Sequence, residues 1–236
     1  MGARPEPQVL YVDNHVLALH KPSGMPCVPD SSGDPSLLDW GRDWVGREFQ
    51  KPGNVFLGVV HRLDRPVSGV VVFGRTSKGA SRLSDSLRRH DLEKIYWSVL
   101  PGKPSPSEGR VNHWLLKDPS RNQVRVLDEE SHGAKWAQTS YRFLAEQGSR
   151  TLVELIPHTG RPHQLRVAMA SLGLPLLGDL RYGARDPLPD RSVALHAVCL
   201  RIPHPTRDES IRLLCPPPEL DVWSFAGRER MLEALA

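Results

Sequence analysis

The chain alternates short apolar runs with compact polar breaks, and the strand period of two and the helix period of 3.6 occupy different stretches. Val9 to Val12 and Val16 to His20 flank Asp13-Asn14-His15, which predicts a hairpin. Lys21-Pro22-Ser23-Gly24 breaks the pattern, and Pro26 to Pro35 reads as an irregular loop. Ser36 offers an N-cap for a helix to about Gly46, with Leu37, Trp40, Trp44 and Val45 as its apolar face. After a turn at Lys51-Pro52-Gly53-Asn54, Leu57 to Val60 and Val70 to Phe73 read as buried strands around HRLDRPVSG. Ser77 then caps a helix with Ala80, Leu83 and Leu87 on one face and Lys78, Arg82, Arg88 and Arg89 on the other.

Ile95 to Leu100 returns to strand, and Pro101 to Gly109 is a connector rich in proline, glycine and serine. Two strand pairs follow: Val111 to Leu116 with Gln123 to Leu127, and Lys135 to Glu146 with Thr151 to Ile156. Leu165, Ala168, Met169 and Leu172 recur at helical spacing, so a helix starts near Pro162 and stops at Gly173. Strands near Leu195 to Ile202 and Ile211 to Cys215 precede a helix across Trp223 to Leu235. Many short strands with few intervening helices predict an α/β (α+β) fold around a mixed, largely antiparallel sheet.

Composition narrows the setting. The 236 residues are enough for one large or two small packing units. A chain of that length buries roughly 70% of its extended surface and needs no disulfide or metal scaffold. Lys plus Arg is 31 against 27 for Asp plus Glu, a net +4 that permits a nucleic-acid partner without requiring one. Cys27, Cys199 and Cys215 are dispersed, and match neither a secreted disulfide framework nor a paired zinc motif. The start MGARPEPQVL lacks the apolar core of a signal peptide, and no apolar run reaches membrane-spanning length. A reducing, cytoplasmic setting fits these features.

Two segments concentrate chemistry. In HRLDRPVSG, Asp64 lies between Arg62 and Arg65 at the end of an apolar run. Such neighbours can keep a carboxylate ionised, as nucleophilic or general-base work requires, but they equally fit a surface salt bridge at a strand end. In PHTGRPHQLR, Arg161, His163, Gln164 and Arg166 crowd the start of a helix. They suit an anion or a carboxylate, and they also suit a capped helix with a solvated basic first turn. His158 and His163 lack the companions of a zinc site.

HRLDRPVSG, then KIYWSVL, then TGRPHQLRVAM resemble the RluA-type family of RNA pseudouridine synthases in order and spacing. The likeness extends to KPSG near the start and LHAVCLRIPHP near the end. It implies the pseudouridine synthase fold, a central sheet flanked by helices with an RNA-binding cleft, as a single catalytic domain over 1–236. Many members add an N-terminal S4 domain, for which this chain has no room. By the same likeness Asp64 is the nucleophile, and Arg62 displaces and replaces the target base. Tyr96 stacks on that base, Arg166 ion-pairs with the nucleophile, and Leu195 packs on the base's other side. His61, Lys21, Gly160, Arg161, His163 and Gln164 flank the pocket as substrate-binding positions.

The family implies an isomerase that needs no cofactor or metal and acts as a monomer on structured RNA. Large-subunit ribosomal RNA of the 23S type leads, with transfer RNA or a non-catalytic RNA-binding role as alternatives. Candidate backbone contacts are Lys78, Arg82, Arg88 and Arg89 in one strip and Arg121, Arg125 and Lys135 in another. Three positions depart from the pattern: Val67 replaces the usual Thr, Pro162 a Thr, Ser or Lys, and Ala168 a frequent His.

Overall fold

The structure, a computed structural model, describes residues 6–236. In chain order its elements are β1 (Gln8–Val12), β2 (Val16–Lys21), α1 (Leu37–Glu48), β3 (Gly58–Val59), β4 (Ser68–Gly74), α2 (Ser77–Arg89) and β5 (Glu93–Leu100). Then come β6 (Glu108–Asp118), β7 (Gln123–Leu127), β8 (Lys135–Gln147), β9 (Arg150–Pro157) and α3 (Gln164–Ser171). A 3-10 turn (Leu180–Tyr182), β10 (Leu195–Pro203), β11 (Ser210–Leu214), a second 3-10 turn (Asp221–Trp223) and α4 (Arg228–Glu233) complete the chain. They form two compact units: one up to Glu93 with Ala197–Pro217 and Ala236, the other Lys94–His196 with Pro218–Leu235.

In the first unit the strand order is β1-β2-β4-β10, with β3 also on β4 and β11 on β10. β2 runs antiparallel to both β1 and β4. Its alternate residues Val16 and Ala18 join Val70 and Val72 of β4, Leu83 of α2 and Leu200, Ile202, Ile211 and Leu213 in one core cluster. The opposite set, Leu17 and Leu19, lies against Gly41 of α1. With helices on both faces, β2 and β4 read as continuous apolar runs rather than as alternation.

The second unit carries the order β5-β9-β8-β6-β7, antiparallel throughout. Leu115, Val124 and Ala137 project from one face of this sheet onto Val167 of α3. The fold class is therefore the mixed, largely antiparallel α/β arrangement that the polarity pattern predicts.

Several boundaries differ from expectation, each for a local reason. Thr76, not Ser77, caps α2: it is the last extended residue (φ −132°, ψ 156°), and its Oγ1 accepts the Gly79 N–H at 3.0 Å. α3 begins at Gln164 rather than Pro162, because His163 turns into the left-handed region (φ 52°) just before it. Leu172 ends up as its exposed C-cap. The expected helix over Trp223 to Leu235 is cut by Gly227 at φ 76°, leaving a 3-10 turn and the short α4. β3 shrinks to two residues, and β6 starts at Glu108 inside the expected connector.

Candidate active site

Within the first unit, the 61–69 segment links β3 to β4 and is held from behind by residues 21–27. Leu63 is buried while Arg62 on one side is exposed and Asp64 on the other is half-buried. Cys27 Sγ accepts the Leu63 N–H at 3.2 Å and donates to the Leu63 carbonyl at 3.4 Å, just before Asp64. Just after Asp64, the Arg65 carbonyl accepts both the Gly24 N–H (2.8 Å) and Lys21 Nζ (3.1 Å). Val67 N–H closes the turn on the Asp64 carbonyl at 3.0 Å. Gly69, at φ 123°, abuts the Ala197 backbone of β10 so closely that any Cβ would collide with it.

Lys21 is wholly buried, and its remaining hydrogens go to the Pro22 and Met25 carbonyls at 2.9 and 2.8 Å. Burial pushes its ammonium down to about 8, opposed by the nearby Cys27 and Asp64 and reinforced by Arg65. Burial also raises the Cys27 thiol, which suits its double role, since a thiolate could not donate.

Arg65, the neighbour of Asp64 in sequence, is engaged with residues 24–34. Its guanidinium pairs with Asp34 and reaches Asp30 at 3.5 Å, while Nε and Nη1 donate to Gly24 O (3.0 Å) and Ser32 Oγ (2.9 Å). Arg65 thus anchors the loop to residues 24–34. His61 Nε2 accepts the Val72 N–H at 3.1 Å, tying the start of the loop to β4. Val67, which stands where a Thr is usual, is buried.

In the second unit, Tyr96 on β5 pairs in register with Leu155, and Leu155 with Tyr141. By strand alternation this is the face on which Ala137 and Leu115 meet α3, while Trp97 is buried on the other. Tyr96 and α3 therefore share one side of the sheet. Leu195 is buried at the start of β10.

The start of α3 is tightly wired. Gln164 is buried; its Oε1 accepts from Thr159 Oγ1 (2.7 Å) and Arg161 N (3.0 Å), and its Nε2 donates to Gln138 O (2.9 Å) and Thr139 Oγ1 (3.0 Å). Arg161 Nε donates to the Trp136 carbonyl at 2.8 Å, and Gly160 is exposed. Gln164 and Arg161 therefore brace the 158–164 turn against β8.

Arg166 is buried against a carboxylate that sequence reasoning missed. Its Nε and Nη2 donate to Asp179 Oδ2 and Oδ1, both at 2.7 Å, with side-chain exposures of 6% and 0%. Its guanidinium carbon also lies 5.1 Å from the centre of the Tyr182 ring. The Tyr182 hydroxyl accepts the Val124 N–H at 3.0 Å and shares a 2.7 Å hydrogen bond with His163 Nδ1. The available signal was physical: a buried arginine demands a carboxylate, and Gly-Asp-Leu-Arg-Tyr-Gly supplies one shortly after the helix.

Comparison with known proteins accords with this fold. The human protein RNA Pseudouridylate Synthase Domain Containing 1 superposes with a TM-score of 0.76 at 24% identity, covering 100% of this chain and 96% of that one. Human RNA Pseudouridylate Synthase Domain Containing 4 gives 0.74 at 24% identity, over 89% of this chain and 88% of that one. The architecture is that of the pseudouridine synthases.

Residues 15–171 match the family model described as RNA pseudouridylate synthase. The Dual-specificity RNA pseudouridine synthase RluA of Escherichia coli K12 is 36% identical over 217 residues, 88% of this chain and 92% of that protein. The RNA pseudouridine synthase YhcT of Bacillus subtilis is 34% identical over 216 residues, 90% and 69% respectively. The chain belongs to the RNA pseudouridylate synthase family. It is an isomerase that acts on RNA.

Proposed function

We propose that the chain converts uridine to pseudouridine in large-subunit ribosomal RNA, with Asp64 as the nucleophile and residues 1–236 acting as one monomeric catalytic domain in the cytoplasm. The observation that carries this reading is the Asp64 loop itself. A half-buried carboxylate stands on a turn whose flanking peptides are fixed by Cys27 and Lys21, as a group that must meet one carbon atom requires.

The reaction breaks the bond from ribose C1′ to uracil N1 and forms one from C1′ to C5; the proton lost from C5 is balanced by one gained at N1. The changes at C1′ and C5 cancel, so the isomerisation involves no net oxidation or reduction and calls on no redox carrier. Asp64 initiates it by attacking C1′ or C6 or by taking a ribose proton. Arg166, in this reading, is the cation that keeps the carboxylate ionised as water leaves. Tyr96 and Leu195 wall in the detached base, and Tyr96 assists proton transfer. Arg62, exposed beside Asp64, fills the place of the uridine drawn out of its stack, offsetting an unstacking cost of a few kcal/mol. Lys21, His61, Gly160, Arg161, His163 and Gln164 act by shaping the pocket rather than in the bond changes.

The test is incubation with deproteinised cellular RNA followed by position-resolved pseudouridine mapping. Wild type should modify a ribosomal uridine, and Asp64→Asn should fold yet leave every uridine unchanged. Turnover by Asp64→Asn would overturn the nucleophile assignment. Transfer RNA is the second reading, and the dual-specificity description of the relatives from Escherichia coli and Salmonella leaves room for more than one kind of site. The same map separates the two.

A further inference from the structure

The mechanism uses Arg166, but nothing in it accounts for the turn at 178–182, which meets both Arg166 and His163. Gly178 sits at φ 81° with the Ser192 carbonyl where a Cβ would be, so the chain enters this turn by a route open only to glycine. That entry directs Asp179 inward, where Tyr182 N–H and Ala184 N–H each donate to its backbone carbonyl at 3.0 Å and rigidify the turn. From this platform Asp179 takes two hydrogens of Arg166, and Tyr182 places its ring beside the same guanidinium and its hydroxyl on His163. The hydroxyl is held in turn by the Val124 N–H of β7.

We infer that Asp179 and Tyr182 are positioning residues for the isomerisation: together they fix the direction of the Arg166 guanidinium and of the His163 ring. The inference rests on the role proposed above for Arg166. A guanidinium is planar, with a rigid fork of donors; engaging Nε and Nη2 with one carboxylate fixes the plane and leaves the Nη1 edge pointing one way. A buried cation without such a partner would either draw in water or rotate. Misplacement of a catalytic group by about 1 Å costs on the order of a hundredfold in rate, so a group that sets orientation can matter nearly as much as one that touches substrate. The π face of Tyr182 adds attraction for the same cation.

The measurement is the single-turnover rate constant and the RNA dissociation constant of the full chain carrying Asp179→Asn, Tyr182→Phe, Arg166→Lys, or Arg166→Lys with Asp179→Asn. Asp179→Asn should lower the rate constant by about a hundredfold with binding within about threefold. Tyr182→Phe keeps the ring but removes the hydroxyl that meets His163 Nδ1, and should lower it by about fivefold to tenfold. If Asp179 acts through Arg166, adding Asp179→Asn to Arg166→Lys should cost less than about threefold further. Full additivity would overturn the inference, because a merely structural carboxylate would add its loss in either background. A wild-type rate in Asp179→Asn would do the same.

If Asp179→Asn does not fold, Tyr182→Phe decides, since a wild-type rate constant there removes the turn from the mechanism. The pairing is also read without activity, from the Arg166 Nε–H resonance of the 15N-labelled chain. It should exchange slowly with water in wild type and at least tenfold faster in Asp179→Asn. Rapid exchange in wild type would sink the inference even if the chain modified no RNA, whereas slow exchange in an inactive wild type would leave the positioning intact and condemn only the proposed reaction.

Discussion

Lys21 places one nitrogen among three carbonyls, those of Pro22, Met25 and Arg65, and only an ammonium has a hydrogen for each. Its proton is nevertheless held less tightly than in water, with the pKa pushed down to about 8 from 10.5 by burial. The sign of the linkage follows. Between about pH 8 and 10.5 the unfolded chain keeps the Lys21 proton and the folded chain has lost it, so this group's contribution to stability rises with pH. Lys21→Met lacks the titrating group and takes a donor from three carbonyls, of which that of Arg65 keeps the Gly24 N–H, so it should be less stable by roughly 2–4 kcal/mol at pH 7. Wild type's advantage should then widen above pH 8, by up to about 1.4 kcal/mol per pH unit, in urea titrations across the range. A gap that narrows there would contradict the assignment. Cys27 supports the other flank of Asp64. Cys27→Val keeps an apolar side chain but leaves both backbone groups of Leu63 unpartnered by sulfur, and should slow single turnover by about tenfold, while Cys27→Ser retains most of the rate.

At the scale of elements, what could be read in the sequence depended on whether the cause was local. β2 and β4 were legible because burial on both faces writes an unbroken apolar run, and α1 because Ser36 caps it as its chemistry suggests. α2 was legible as a helix but its first residue was not: Thr76 and Ser77 are adjacent hydroxyls, and only the backbone angle decides which one is the cap. Thr76→Ala should therefore cost about 1 kcal/mol in thermal or urea unfolding and Ser77→Ala a few tenths at most. The reverse order would return the cap to Ser77. Arg166 was legible through its motif, but its partner Asp179 was not, because nothing in spacing alone says that a turn thirteen residues later folds back under the helix. Gly69 shows a tertiary constraint written in one residue: Gly69→Ala would need both a left-handed φ and room that the Ala197 backbone occupies. It should lose at least about 3 kcal/mol, enough to reduce the yield of folded protein in expression and in a thermal melt.

For the whole molecule the question is how a net charge of +4 captures an RNA. Many arginines are already employed within the fold: Arg65 on Asp34, Arg82 on the Pro205 carbonyl, Arg150 on Asp221, Arg207 on Asp13 and Arg228 on Glu219. Of the basic strip on α2, Arg88 pairs with Asp85 and Arg89 with Asp91. The strip expected from the sequence is therefore less free than its charges suggest. Arg125 and Lys135 differ: each is exposed and, among the described residues, forms no ion pair. Deleting a cation that neutralises one phosphate reduces the slope of log K against log salt by about 0.7–0.9, whereas deleting one already paired within the protein changes it little. Arg125→Ala and Lys135→Ala should each flatten the salt dependence of RNA binding by such a step and weaken ribosomal and transfer RNA fragments alike, since backbone contacts carry no sequence information. Arg88→Ala should flatten it by less than half as much. Equal slopes for all three variants would mean that the Asp85 pair opens on binding and that the α2 strip meets the RNA after all. In either case the choice of uridine must come from the shape of the RNA and from the pocket, because a surface this evenly balanced does not discriminate between sequences.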